Sequence, residues 1–143
     1  MGKIKHVLLV DDSDATNFFN KTILKKTECI EEVLVAKNGN EALEILKTAR
    51  QPELIFLDIN MPVMNGWEFI EEYQKIHFDN PPVIILMLGA ELSTEEKKKA
   101  DSIPEIKEFR EKMLSKKIVC GILQKYFKDV TSNKCTENLK LVV

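Results

Sequence analysis

The sequence lacks both an excess of basic residues and a long apolar run, and each absence excludes a class of protein. Its 21 Lys and Arg residues against 23 Asp and Glu residues give a formal net charge of −2. We therefore expect no nucleic acid partner, because phosphate binding needs a basic protein face. The apolar run IKHVLLV near the N-terminus is too short to span a bilayer, and we expect no signal peptide. We expect no membrane partner either.

Cysteine is also scarce, and its spacing excludes the common cysteine motifs. The three cysteines, Cys29, Cys120 and Cys135, are odd in number, widely spaced and form no CxxC pair. This pattern predicts free thiols in a reducing, cytoplasmic compartment.

Short apolar runs alternate with segments of helical periodicity along the 143 residues, a length that fits one domain with a full core. The runs are rich in Val and Ile without strict alternation, which is typical of strands covered on both faces. Five strand–helix units predict an α/β fold with a doubly wound, five-stranded parallel sheet. We expect this domain to span 1–128 and a polar tail to follow over 129–143, ending in the apolar residues LKLVV. The strands are predicted at 4–10, 32–36, 53–57, 83–88 and 106–109.

Polar residues mark three of the expected helix starts. Asn38, Asn65 and Ser93 each precede a glutamate by three residues, which is the spacing of a capping box. The last of them predicts a short polar helix over 93–100, in which the charged side chains form a solvated face.

Three acids stand where apolar runs end. Asp11 and Asp12 follow the first run, and Asp58 follows the third. In a sheet of strand order 2-1-3-4-5, the first and third strands are neighbours, so these carboxylates converge at the carboxyl edge of the sheet. Two such charges about 4 Å apart repel by roughly 4 kcal/mol at an effective dielectric near 20. A Mg²⁺ ion, which prefers oxygen ligands, would relieve that repulsion and leave Asp58 as a nucleophile beside a metal.

Two stretches resemble the receiver domain of two-component response regulators. LLVDDSDATN is similar to the acidic motif after the first strand, and DINMPVMNGWEF is similar to the phosphorylation-site motif. The resemblance covers about 4–127 and implies a flavodoxin-like fold. It also implies that Asp58 accepts a phosphoryl group from a histidine kinase or a phosphotransfer protein. Asp12 would bind Mg²⁺ directly, Asp11 largely through water, and the backbone carbonyl of Asn60 would complete the protein ligands.

The resemblance extends to the last strand but departs from the family at two positions. Lys112 would contact the aspartyl phosphate, and Phe109 matches the aromatic residue that moves in the family's switch. The usual proline after that lysine is Met113 here. The larger departure is Met87, which stands where the family has a Ser or Thr that binds the phosphoryl oxygen. Because a thioether donates no hydrogen bond, we expect the switch to be weakened by about 1.5–3 kcal/mol.

The resemblance implies a phosphoacceptor that signals through the face of its fourth helix, fifth strand and fifth helix, with at most slow self-dephosphorylation, and not an enzyme. One alternative is a pseudo-receiver that acts as a constitutive protein-interaction module. Another follows from DSDAT, which also fits the D-x-D-x-T motif of haloacid-dehalogenase-type phosphatases, with Asp12 as nucleophile and Asp14 as general acid. Such enzymes need a later acidic pair in a form such as GDxxxD, and nothing after Asp58 supplies one.

Overall fold

Strands and helices alternate strictly in the computed structural model, which describes residues 2–61, 63–130 and 134–135. Among these residues, no helix is of the length and apolarity that crossing a bilayer requires. The elements are β1 (Ile4–Val10), α1 (Asp14–Lys26), β2 (Ile30–Ala36), α2 (Gly39–Leu46), β3 (Leu54–Asp58), α3 (Gly66–Tyr73), β4 (Val83–Leu88), α4 (Thr94–Asp101), β5 (Ile106–Glu111) and α5 (Lys116–Tyr126).

The five strands form one parallel sheet in the order β2-β1-β3-β4-β5. This confirms the predicted doubly wound, flavodoxin-like fold. One apolar cluster packs α2, α3 and α4 on one face of the sheet, and a second packs α1 and α5 on the other. All five residues of β3 are buried, which explains why the central runs show no polar alternation.

Two strands are longer than their apolar runs suggested. β2 begins at Ile30, which pairs with Ile4 although two glutamates follow it. β5 continues through Arg110 and Glu111, which pair with residues at the end of β4. β5 lies at the edge of the sheet and its residues alternate in exposure, so polar side chains are tolerated there.

Two of the three predicted capping boxes are confirmed, at Asn65 and Ser93. The prediction at Asn38 is half wrong. Its side chain caps α2 by accepting from the backbone N–H of Glu41 at 2.9 Å. However, Oε1 of Glu41 accepts from the N–H of Lys37 at 3.0 Å instead of returning to Asn38. The glutamate reaches one residue further back because the extended chain before α2 brings that N–H within range.

The prediction of three free thiols is wrong for two of them. Cys120 and Cys135 form a disulfide, and only Cys29 is free among the described residues, where it is buried. After α5, Val130 bridges Gly2 next to the start of β1, and Cys135 lies against Cys120 of α5. Spacing in sequence did not reveal the contact, and the cysteines no longer argue for a reducing compartment. The apolar LKLVV end lies outside the described residues.

Thiol counting tests this disulfide. Air-exposed protein unfolded in denaturant with iodoacetamide is expected to gain one carbamidomethyl group, at Cys29, and to gain three after prior reduction. Intact-mass spectrometry and peptide mapping read both counts. A Cys29→Ala variant is the control and should gain none without reductant. Modification of all three cysteines before reduction would contradict the disulfide.

Candidate functional site

The ends of β1 and β3 bring three acids into one crevice. Val10, the last residue of β1, pairs with Leu57, the residue before Asp58, so the acids at the ends of both strands lie at the same level of the sheet. Carboxylate oxygens of Asp11, Asp12 and Asp58 all lie within 4.8 Å of one another. The geometry therefore places an all-oxygen donor set at the carboxyl edge of the sheet, beside the point where strand order reverses.

The three acids differ in their surroundings. Asp58 is 1% exposed; its Oδ1 accepts from the N–H of Asn60 at 3.2 Å, and its Oδ2 lies 3.1 Å from Nζ of Lys112. Asp11 is 6% exposed, and its Oδ1 accepts from the N–H of Ser13 at 2.9 Å. Asp12 is exposed. The crevice thus has two buried carboxylates that are fixed by hydrogen bonds and one carboxylate that faces solvent. The solvent-facing side of the crevice is open to a ligand.

Burial and charge together set the ionisation of this crevice. Desolvation by burial raises the pKa of Asp58, although the hydrogen bond from Lys112 opposes it. Desolvation also raises the pKa of Asp11, and the nearby Asp58 adds to the shift. Burial lowers the pKa of Lys112, but the hydrogen bond and charge of Asp58 outweigh it and raise that pKa overall. The folded protein therefore holds concentrated negative charge that a cation would stabilise.

The turn after β3 keeps Asp58 at the tip of its strand. The N–H of Gly66 donates to the carbonyl of Ile59 at 2.8 Å. A Cβ on Gly66 would lie 2.7 Å from Cα of Ile59 and 2.8 Å from the carbonyl oxygen of Asp58, so only glycine fits this approach. In the same turn, Val63 has a φ of 70° and is 80% exposed. A β-branched residue in this conformation is strained, which indicates that the surrounding turn determines its backbone.

Lys112 reaches Asp58 from the loop after β5 without the family's proline. All described peptide bonds are trans, so the bond between Lys112 and Met113 needs no cis isomer to bring Nζ to the carboxylate. Phe109, further back on β5, is 38% exposed. It borders a surface cavity of about 550 Å³, which is also lined by Gly89 and Met113.

Met87 stands beside Asp58 in the sheet. The two residues are register partners on β4 and β3. Met87 is 3% exposed and belongs to the apolar cluster that also contains Leu114 and Val119. The position next to the acid therefore carries an apolar side chain with no hydrogen-bond donor.

Trp67, the second residue of α3, contacts α4. Its ring is 9% exposed, and its Nε1 donates to Oε2 of Glu96 at 3.1 Å. Nζ of Lys99 lies 5.0 Å from the ring centroid, within the range of a cation–π interaction. The start of α3 is thus linked to α4 by a hydrogen bond and a cation–π interaction.

Two buried asparagines of α1 also support the crevice, and sequence reasoning missed them. Asn17 and Asn20 are each 4% exposed. Nδ2 of Asn17 donates to the carbonyl of Asp11 at 2.8 Å, and the amide of Asn20 binds the backbone around Met113. Their spacing of three residues places them on one face of the helix. The sequence contains no clear signal for them, because the two phenylalanines between them are exposed while the asparagines are buried.

Comparisons with known proteins agree with this geometry. The family model for the response regulator receiver domain matches residues 7–125. A two-component response regulator from Cytophaga hutchinsonii is 33% identical, with a TM-score of 0.76 over 88% of this chain and 98% of that one. The chemotaxis protein CheY4 of Vibrio cholerae is 29% identical, with a TM-score of 0.68 over 85% of this chain and 98% of that one.

A curated relative shares the domain but is much longer. The protein-glutamate methylesterase/protein-glutamine glutaminase of Methanococcus maripaludis is 41% identical over 90 residues, which are 63% of this chain and 23% of that protein. The chain thus spans less than a quarter of that relative's length, so the similarity concerns the shared domain only. With the sheet order, the acidic crevice and a family match over most of the sequence, this chain belongs to the response regulator receiver domain family.

Proposed function

We propose that this chain accepts a phosphoryl group on Asp58 from the phosphohistidine of a histidine kinase or phosphotransfer protein, in a Mg²⁺-dependent reaction. The observation that carries the proposal is the position of Asp58. Its carboxylate is almost fully buried at a strand end, with one oxygen 3.1 Å from Lys112 and two further acids within 4.8 Å. Burying an ionised carboxylate costs stability. A buried acid with a specific charge partner is therefore typical of a functional site.

The crevice suits Mg²⁺ by its donor chemistry. Its carboxylates are hard oxygen ligands, and the exposed side of Asp12 leaves room for water ligands, which Mg²⁺ retains. Asp11, Asp12 and Asp58 with the carbonyl of Asn60 would hold the ion. When bound, Mg²⁺ neutralises charge on the oxygens of the transferring phosphoryl group.

The residues of the chain have separate roles in the transfer. A carboxylate oxygen of Asp58 attacks phosphorus, and the bond between phosphorus and the donor imidazole nitrogen breaks. The electron pair stays on the imidazole, which takes a proton from solvent, and an acyl phosphate remains on Asp58. Nζ of Lys112 lies close enough to pair with a phosphoryl oxygen as a point charge.

Two alternatives are less well supported. The phosphatase hypothesis needs Asp14 near the nucleophile, but Asp14 is largely exposed and pairs with Lys37 at 2.8 Å. It does not belong to the acid cluster found among the described residues. A pseudo-receiver would keep the fold without the chemistry. Met87 favours that hypothesis, whereas the intact contact between Lys112 and Asp58 opposes it.

Intact-mass spectrometry after incubation with acetyl phosphate tests the proposal. With Mg²⁺ we expect a species heavier by one phosphoryl group, localised to Asp58 by peptide mapping after borohydride reduction. Chelation of Mg²⁺ should prevent it. Labelling of Asp12 would support the phosphatase hypothesis, and a protein inert to phosphodonors would support the pseudo-receiver.

We further propose that signalling uses the face formed by α4, β5 and α5, on which Phe109 is partly exposed, to bind a downstream protein. The missing hydroxyl at position 87 would weaken this output. A Met87→Thr variant is expected to increase the population of the switched state about tenfold after phosphorylation, because one hydrogen bond to a charged group is worth about 1.5–3 kcal/mol.

Chemical shifts of Phe109 and the α4 amides, measured with and without acetyl phosphate and Mg²⁺, report that population. Met87→Leu is the matched control and should behave as wild type, since it adds no donor. Complete switching in the wild type, unchanged in Met87→Thr, would contradict this role for Met87.

A further inference from the structure

A side-chain amide of α1 holds the loop that presents Lys112. Nδ2 of Asn20 donates to the carbonyl oxygen of Lys112 at 3.2 Å, and its Oδ1 accepts from the N–H of Leu114 at 3.0 Å. Asn20 is 4% exposed; its bond with Leu114 is buried and its bond with Lys112 is partly buried. The amide therefore bonds the backbone on both sides of Met113, as the peptide group of a neighbouring strand would.

The loop lacks the fixed φ angle that a proline at position 113 would provide. Position 113 carries Met, which is 51% exposed, instead of a proline ring. A residue that is free to move retains about 1–2 kcal/mol of backbone conformational entropy. Lys112 itself is a long, flexible side chain, 30% exposed, whose Nζ must stay near Oδ2 of Asp58. Fixing its backbone removes part of that freedom.

The partner of Asn20 on the same helix face supports the other side of the crevice. Asn17 donates to the carbonyl of Asp11 at 2.8 Å. α1 thus carries two buried amides, one bonded to the acid segment after β1 and one to the loop after β5. The helix connects the cation-binding side of the crevice to the lysine side through hydrogen bonds to backbone atoms.

We infer that Asn20 is a positioning residue that holds Lys112 against Asp58 in place of a rigid proline after the lysine. The inference rests on the proposed function, because Lys112 is the side chain that would contact the phosphoryl group. Asn20 touches neither Asp58 nor a reacting atom in this assignment. It acts through the lysine alone, and that makes its effect separable from a general contribution to stability.

The rate of Asp58 phosphorylation by acetyl phosphate with Mg²⁺ is the first measurement. Asn20→Leu keeps a similar volume but removes both hydrogen bonds, and Asn20→Ala is a smaller variant in case Leu does not fit. Each is expected to slow phosphorylation about tenfold, because small misplacements of a positioned group cost that much or more.

Thr27→Val is the control: Thr27 is fully buried at the other end of α1, and its hydroxyl donates to the carbonyl of Leu24. It should lower the melting temperature and leave the rate unchanged.

A double-mutant cycle and an NMR measurement separate positioning from stability. In a Lys112→Ala background, Asn20→Leu should cause no further loss of rate, since the residue it positions is absent. The ammonium signal of Lys112, slowed in exchange by its bond to Asp58, should broaden in Asn20→Leu and persist in Thr27→Val. Additive rate losses, or an unchanged Lys112 signal, would overturn the inference. The NMR result stands even if the wild type takes no phosphoryl group, which would refute only the proposed function.

Discussion

Asp58→Asn is expected to abolish phosphoryl acceptance while preserving the fold. An amide has nearly the shape of the carboxylate but lacks the nucleophilic oxygen, so no acyl phosphate can form. Asp58 is 1% exposed and Asn60 still has an acceptor there, so packing should be retained. Intact-mass spectrometry with acetyl phosphate and Mg²⁺ measures the loss, and circular dichroism checks the fold.

Two other aspartates serve as comparisons for that result. Asp101→Asn, at the exposed end of α4, should be labelled like the wild type. Asp12→Asn should slow labelling about a hundredfold by weakening Mg²⁺ binding, with the residual label still on Asp58. A full label on Asp58→Asn would contradict the assignment of the acceptor.

Mg²⁺ is expected to stabilise the folded protein. It should also reverse the pH dependence of stability that the acid crevice causes. Burial raises the folded-state pKa of both Asp11 and Asp58 above their ordinary values. The folded state then binds more protons than the unfolded state. The free energy of unfolding therefore falls as pH rises from the ordinary pKa of an aspartate through the raised pKa of these two residues. Mg²⁺ binds the charged carboxylates and should add about 2.7 kcal/mol at a hundredfold excess over its dissociation constant.

Melting temperatures between acidic and neutral pH, with Mg²⁺ and with a chelator, measure this behaviour. The Asp58→Asn variant should be more stable than the wild type at neutral pH without Mg²⁺, and its pH dependence should be flatter, because one buried charge is gone. Asp12→Asn should lose most of the Mg²⁺ effect. Equal melting curves with Mg²⁺ and chelator would refute the metal site.

The sequence alone predicted the sheet and the meeting of its acids because both follow from local patterns. Continuous apolar runs identify strands buried on both faces, and strict alternation with helices leaves few topologies. In the resulting strand order, the acids at the ends of β1 and β3 can only lie at one edge of the sheet. A polar edge strand gives no continuous apolar run. The predicted β5 therefore ended before the charged residues at the end of the strand.

The tertiary structure decided what depends on contacts between distant segments. The disulfide joins Cys120 of α5 to Cys135, 15 residues further along the chain, and no spacing rule encodes that contact. Likewise, Asn20 looks like an ordinary helix residue until α1 packs beside the loop after β5, 94 residues further along the chain. The periodicity of a sequence indicates which face of a helix or strand is buried. It does not indicate which backbone atoms of other segments will need a hydrogen bond at that face.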